Sequence, residues 1–233
     1  MSSDLERWWK DLPVLTKYLF VGSFGVTLAA NFGLLSPYSL VLIWPKIITE
    51  FQLWRLVTCF LFHGKLGFPF LIHMLFLSLE SEIFNGRLSD YVWMQVITCS
   101  LLLASTLILP SPILGMGLIV SLIYYWSRKN PDVEMSLMFG IRFKSIYFPW
   151  VLCAMSLLMG GSPLAELCGI VAGHFYFFFE DIIPRTKGYR LLQTPAFMYV
   201  SIDPAEYNSY NRGAQQQATR GPTFTGTGYT LRG

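Results

Sequence analysis

The sequence predicts an all-α, polytopic membrane protein: six spanning helices followed by a disordered C-terminal tail. Three observations carry this. Hydrophobic residues make up 53% of the chain and charged residues 13%, about half the roughly 25% usual in soluble domains. Mean hydropathy is +0.47. The few charges collect at the N-terminus, in two loops and in the tail, leaving long apolar runs between them.

Those runs fall at about 18–35, 68–84, 91–109, 112–127, 146–161 and 163–182. Residues 1–17 hold Arg7, Trp8, Trp9, Lys10 and Lys17, an amphipathic lead. It is too long and polar for a cleaved leader and no A-x-A site follows it, so the first run reads as a signal anchor. A cytosolic N-terminus puts fourteen of the 17 Lys and Arg on the cytosolic side and leaves Lys46, Arg55 and Lys65 opposite. An even number of spans then returns the C-terminus to the cytosol.

The links Pro110-Ser111-Pro112 and Gly160-Gly161-Ser162-Pro163 are tight and uncharged. In each, Ser suits an N-cap and Pro the first helical position. The fourth run, 112–127, gives about 24 Å of helix against a hydrocarbon core of about 30 Å. Tilt, burial inside the bundle or a thinned bilayer would each relieve that mismatch. Residues 1–190 read as the membrane domain and 191–233 as a flexible tail.

The first inter-span loop, about 36–67, is too long for a turn and too apolar for a free loop, so short interfacial helices are expected in it. Trp54 favours the headgroup boundary, and Arg55 can snorkel from a stem packed on apolar surface. Cys59, Cys99, Cys153 and Cys168 show neither metal-ligand spacing nor the density of a disulfide scaffold. Cys59 and His63 alone are too few for a metal site, and no cofactor is expected. A net charge of +3 without a basic run beside exposed aromatics gives no sign of nucleic-acid binding.

Several ordered motifs resemble one family. The Trp-Arg pair between the first two of six short spans resembles the rhomboid superfamily. Phe51-Gln52-Leu53-Trp54-Arg55-Leu56-Val57-Thr58, Phe84-Asn85-Gly86-Arg87-Leu88-Ser89-Asp90-Tyr91, Tyr125-Trp126-Ser127-Arg128-Lys129-Asn130-Pro131, Phe148-Pro149-Trp150-Val151-Leu152 and Gly169-Ile170-Val171-Ala172-Gly173-His174-Phe175-Tyr176-Phe177-Phe178 resemble the derlins, the rhomboid-like proteins of the endoplasmic reticulum. The resemblance spans about residues 1–195 and the terminal peptide. It implies a six-helix rhomboid-like fold that helps misfolded proteins leave the endoplasmic reticulum for degradation. His73 departs from the asparagine usual in the family's second span, which also looks short near Glu80 and Glu82.

Rhomboid proteases need a serine in G-x-S-G on the fourth span and a histidine base on the sixth. His174 is present, but the fourth span reads Pro112-Ile113-Leu114-Gly115-Met116-Gly117-Leu118-Ile119-Val120-Ser121-Leu122, without that motif. No catalytic residue is therefore assigned, and Ser121 reads as a helix-packing hydroxyl. Gly169 and Gly173 form a small-x-x-x-small pair for close helix packing. An ionisable residue inside a span usually faces the bundle or a wet cavity, so His174 is placed with them at a groove.

The terminal stretch Phe224-Thr225-Gly226-Thr227-Gly228-Tyr229-Thr230-Leu231-Arg232-Gly233 cannot build a core. Its F-x-G-x-G-x-x-L form resembles the peptide by which membrane adaptors capture the AAA ATPase valosin-containing protein. Phe224 and Leu231 would anchor it, and Gly226 and Gly228 would allow close backbone approach. The chain has no Walker motif, so pulling force would come from such a partner. The resemblance further implies misfolded protein substrates, a membrane ubiquitin ligase complex, membrane lipid and homo- or hetero-oligomers as partners. An active intramembrane serine protease and a passive client-binding and ubiquitin-ligase scaffold remain as alternatives.

Overall fold

The structure is a computed structural model that describes residues 6, 9–10, 12, 14–64, 66, 84, 87–136, 142–188, 191–202 and 208. All of the predicted second span but Phe84, and the terminal peptide 224–233, lie outside the described residues, as do His73, Glu80 and Glu82. The first apolar run folds as α1 (Val14–Asn31). The loop after it holds three short helices, α2 (Pro37–Leu40), α3 (Trp44–Thr49) and α4 (Arg55–Leu61). Then come α5 (Leu88–Ser105), α6 (Gly115–Lys129), α7 (Phe148–Leu158) and α8 (Leu164–Phe177). The helical path from Leu88 to Ser105 and that from Leu164 to Lys187 are both long and apolar enough to cross a membrane.

The last of these paths is not uniform. A π-turn at Phe178–Ile182 joins α8 to α9 (Ile183–Lys187), which ends at Gly188 in the left-handed region, φ 76°. Pro184 supplies the reason. Its ring would clash with the carbonyl four residues back and it offers no N–H, and the wider turn relieves both problems.

α6 is the centre of the bundle. Ile119, Val120, Ile123 and Tyr124 pack with Phe148 and Leu152 of α7 and Ile170 of α8. Leu118 joins Leu102 and the loop residues Leu42, Ile47 and Phe60, while Leu122 and Tyr125 meet Tyr91, Met94 and Tyr176. Of the three routes left open for the short fourth run, burial among neighbours is thus the one taken. α7 is different: it has only 11 residues and leaves Trp150, Leu157 and Leu158 exposed.

One expectation is corrected. Neither link is closed by a serine cap: α6 starts behind Leu114 and α8 behind Pro163, with no side-chain cap bond at either. The reason is long-range pairing. The Leu42 N–H donates to the Pro112 carbonyl at 2.9 Å and the Leu114 N–H to the Cys59 carbonyl at 2.9 Å, which pins residues 112–114 to the loop before the helix can begin. In addition, the otherwise all-α chain contains a small antiparallel ladder between α6 and α7. β1 (Glu134–Ser136) pairs with β2 (Arg142–Lys144), Met135 opposite Phe143, and both of those side chains pack on the α6–α7 core.

The chain divides into two compact units, Met1–Gln193 and Thr194–Gly233. Within the second, Ala196–Ile202 forms α10.

Candidate functional site

A guanidinium buried in a loop needs acceptors, and the first loop supplies them from its own backbone. Arg55 is 2% exposed. Its Nη1 donates to the carbonyls of Tyr38 at 2.6 Å and Val41 at 2.7 Å, and its Nε to Gln52 Oε1 at 2.6 Å. Gln52 in turn reaches Glu50 at 2.5 Å, and Glu50 pairs with Lys46 at 3.6 Å. Arg55 therefore does not snorkel to the surface; it is the hub that ties α2, α3 and α4 together. Its neighbour points the other way. Trp54 is 53% exposed, with Phe51, Leu53 and Val57 exposed around it. Phe51 holds φ at 52°, a left-handed value unusual for a bulky residue, at the turn that closes α3.

The far end of the loop is tied to α1. Thr27 Oγ1 accepts from the His63 N–H at 3.3 Å, and Asn31 Nδ2 donates to the Gly64 carbonyl at 3.0 Å. The His63 ring faces inward beside Leu19, Ser23, Phe60, Gly115, Leu118 and Ile119, which line a small cavity. Its Nδ1 lies 2.9 Å from the Leu61 carbonyl. Burial pushes its pKa below the ordinary 6.5, and the Leu61 carbonyl offsets this only in part.

Gly169 and Gly173 lie on the α6–α8 seam. A Cβ added to Gly173 would stand 2.7 Å from the Ser121 carbonyl oxygen, and one added to Gly169 would overlap the Gly117 backbone. The partners of the pair are thus Gly117 and Ser121, again four residues apart, so two backbones meet without intervening side chains. The Ser121 hydroxyl is fully buried and donates to Leu118 O at 2.7 Å within its own helix.

His174 does not meet Ser121. Its Nδ1 lies 2.8 Å from the Tyr124 hydroxyl, which also accepts from Arg128 Nε at 3.0 Å. Arg128 sits over the same ring, 5.1 Å from its centroid. A short ionic group lies further along α6: Lys129 pairs with the buried Asp181 of the π-turn, and Arg185 approaches Asp181 at 3.7 Å. Among the described residues no group of three or more His, Cys, Asp or Glu could hold a metal ion. Burial also drives the Cys59 thiol up to about 12, away from the thiolate that metals require.

The structure thus brings Gly169, Gly173 and His174 to one helix seam and places Trp54 and Arg55 apart from them, in the loop. Phe224, Gly226, Gly228 and Leu231 lie outside the described residues. The partners of these residues were missed from sequence: Gln52 for Arg55, Tyr124 and Arg128 for His174, Gly117 and Ser121 for the glycines. The one available signal was a tyrosine in an apolar run, because a buried phenol needs a partner for its hydroxyl.

The Der1-like family profile matches residues 12–196. The chain is 34% identical over 214 residues to Derlin-2.1 of Zea mays, covering 85% of this chain and 86% of that protein. It is 34% identical over 218 residues to the probable derlin-2 homolog of Dictyostelium discoideum, with 88% and 86% covered. To Derlin-1 of Homo sapiens it is 33% identical over 251 aligned positions, with 98% of each chain covered.

Proposed function

The chain belongs to the Der1-like family, and from this premise we propose that it is a non-proteolytic, rhomboid-like component of endoplasmic-reticulum-associated degradation. It resides in that membrane with both termini in the cytosol. The family match over residues 12–196 carries the reading. Misfolded protein substrates enter a lumen-open groove between the second and fifth spans and pass to the cytosol. The non-proteolytic character is supported by Ser121, whose hydroxyl is turned onto Leu118, and by His174, whose Nδ1 is engaged by Tyr124.

Passage is eased by a locally thinned bilayer, and the support for this comes from α7. Its 11 residues give only about 17 Å of helix, and the 3-10 turn Ser145–Tyr147 adds about 6 Å, against a core of about 30 Å. Because Trp150, Leu157 and Leu158 are exposed, lipid rather than protein meets this mismatch. The equally short α6 is enclosed and transmits none. A charge at the bilayer centre costs about 2.5–3.5 kcal/mol on insertion scales, so a thinner barrier matters.

The motor is external. Phe224 and Leu231 anchor the tail to valosin-containing protein, Gly226 and Gly228 let the backbone lie close, and the tether raises the ATPase's local concentration at the membrane. A membrane ubiquitin ligase complex and further derlin subunits complete the assembly. The test is a pull-down of the ATPase from detergent extract, comparing the intact chain with Phe224→Ala/Leu231→Ala. The double variant is expected to lose capture; equal capture would sever the motor from this protein.

A further inference from the structure

The helical path Leu164–Lys187 carries one exposed stripe, formed by Leu164, Leu167, Val171, His174, Phe175 and Phe178. Steps of three and four residues place them on a single helix face. Every member but one is apolar. His174 stands about 15 Å from the Leu164 end of a path 24 residues long, or about 36 Å, which puts it at the depth of the hydrocarbon.

The hydrogen bonds around it have a direction. Arg128 can only donate, so its Nε–H points at the Tyr124 oxygen, 3.0 Å away. The phenol proton is then free to be given to His174 Nδ1 at 2.8 Å. Nδ1 becomes the acceptor and Nε2 carries the ring hydrogen. Among the described residues Nε2 has no partner. The Tyr124 and Phe178 rings hold the imidazole from two sides, with centroids 5.8 and 6.4 Å away. The result is a fixed N–H donor on an exposed apolar face.

Lipid tails cannot accept that hydrogen bond. An apolar helix cannot either, since its carbonyls are used internally and its side chains offer nothing. A segment with an Asn, Gln or Ser in its span, or with unwound backbone, can. We propose that this face is a lateral docking site for membrane-inserted client segments that carry a free hydrogen-bond acceptor at mid-depth, with His174 Nε2–H as the reading group. The inference rests on the retrotranslocation reading and narrows its clients to spans that fail to satisfy their own polar groups. The donor gives selectivity and the apolar stripe gives contact area.

The test uses the full chain reconstituted in phosphatidylcholine vesicles with a photoreactive benzoylphenylalanine in place of Phe175. The probes are two single-span peptides, one of leucines only and one with a central glutamine. The glutamine peptide is expected to label about 3- to 20-fold more strongly, the range of interhelical hydrogen bonds in membranes. His174→Leu should erase the preference, while His174→Gln, whose amide still donates, should keep it and serves as the folding control. Equal labelling of the two peptides would overturn the proposal. So would label landing on a second copy of the chain or on residues 67–83 with the glutamine peptide present. No ATPase takes part, so failed capture by the tail leaves this experiment readable.

Discussion

Replacing Gly173 or Gly169 by alanine tests the backbone-to-backbone seam that sets the whole bundle. At Gly173 the new Cβ would stand 2.7 Å from the Ser121 oxygen and 3.1 Å from both Ser121 Cα and Tyr124 Cβ. Ordinary contact begins near 3.4 Å, so the shortfall is about 0.7 Å, and a gap of that size forfeits a quarter to a half of each dispersion contact it opens. A carbonyl within a helix cannot swing aside, so α6 and α8 must part. Overpacking of this kind costs about 1–3 kcal/mol, of which better helix propensity returns up to about 1 kcal/mol. Gly169→Ala should lose more, because its Cβ would come closer still, into the O, C and Cα of Gly117. Gly25 of α1 is the control: nothing lies within 4 Å of its added Cβ, so Gly25→Ala should be neutral or gain up to about 1 kcal/mol. Reversible unfolding in mixed micelles, followed by tryptophan fluorescence, gives the three values. Gly169→Ala as stable as Gly25→Ala would refute the seam.

Three other outcomes follow from the loop and from α7. Arg55→Lys keeps the charge but loses the planar fork that reaches two carbonyls and Gln52; hydrogen exchange across residues 38–52 should accelerate by an amount equivalent to about 1–3 kcal/mol. For His63 the folded-state pKa lies below the unfolded 6.5, so the unfolded chain binds the proton first. Its stabilising effect is full above that value and is lost as pH falls through the folded one; unfolding midpoints between pH 7.5 and 4.5 should drop more steeply for the native chain than for His63→Gln. Lengthening α7 by one leucine turn should restore bilayer thickness around the reconstituted protein, read by neutron reflectometry, and should slow client export. A normal bilayer around the unaltered protein would remove thinning from the mechanism.

The parts of the fold legible from sequence are those whose cause is local. α5 and the path from Leu164 to Lys187 announce themselves because an apolar run of that length has few other uses in water. The loop helices were legible as apolar segments too long to be a turn. What failed was decided at a distance. The start of α6 is set by Leu42 and by Cys59, in a loop about seventy residues and fifty-five residues upstream respectively. Arg55 reads as a surface arginine until the carbonyls of Tyr38 and Val41 are seen around it. The strands at Glu134–Ser136 and Arg142–Lys144 have three residues each, too few for an alternating pattern to declare itself. The small-residue spacing at Gly169 and Gly173 was visible, whereas the matching pair on α6 was hidden by being half glycine and half serine.

That serine shows how packing and chemistry exclude one another here. Gly173 rests on the backbone of Ser121, so one of the two points where the α6 and α8 backbones meet is the residue a hydrolytic mechanism would have to open to substrate. To act, Ser121 would have to release Leu118 O, and His174 would have to leave Tyr124; each move strands a polar group in the bundle, at about 1–3 kcal/mol apiece. Parting the seam would add the loss already argued for Gly173. Held as it is, the exposed histidine keeps its Nδ1 on the Tyr124 hydroxyl and its ring between those of Tyr124 and Phe178. The arrangement sets the imidazole against a tyrosine instead of a serine, so the packing that closes the seam is the same packing that keeps the two side chains of a dyad apart.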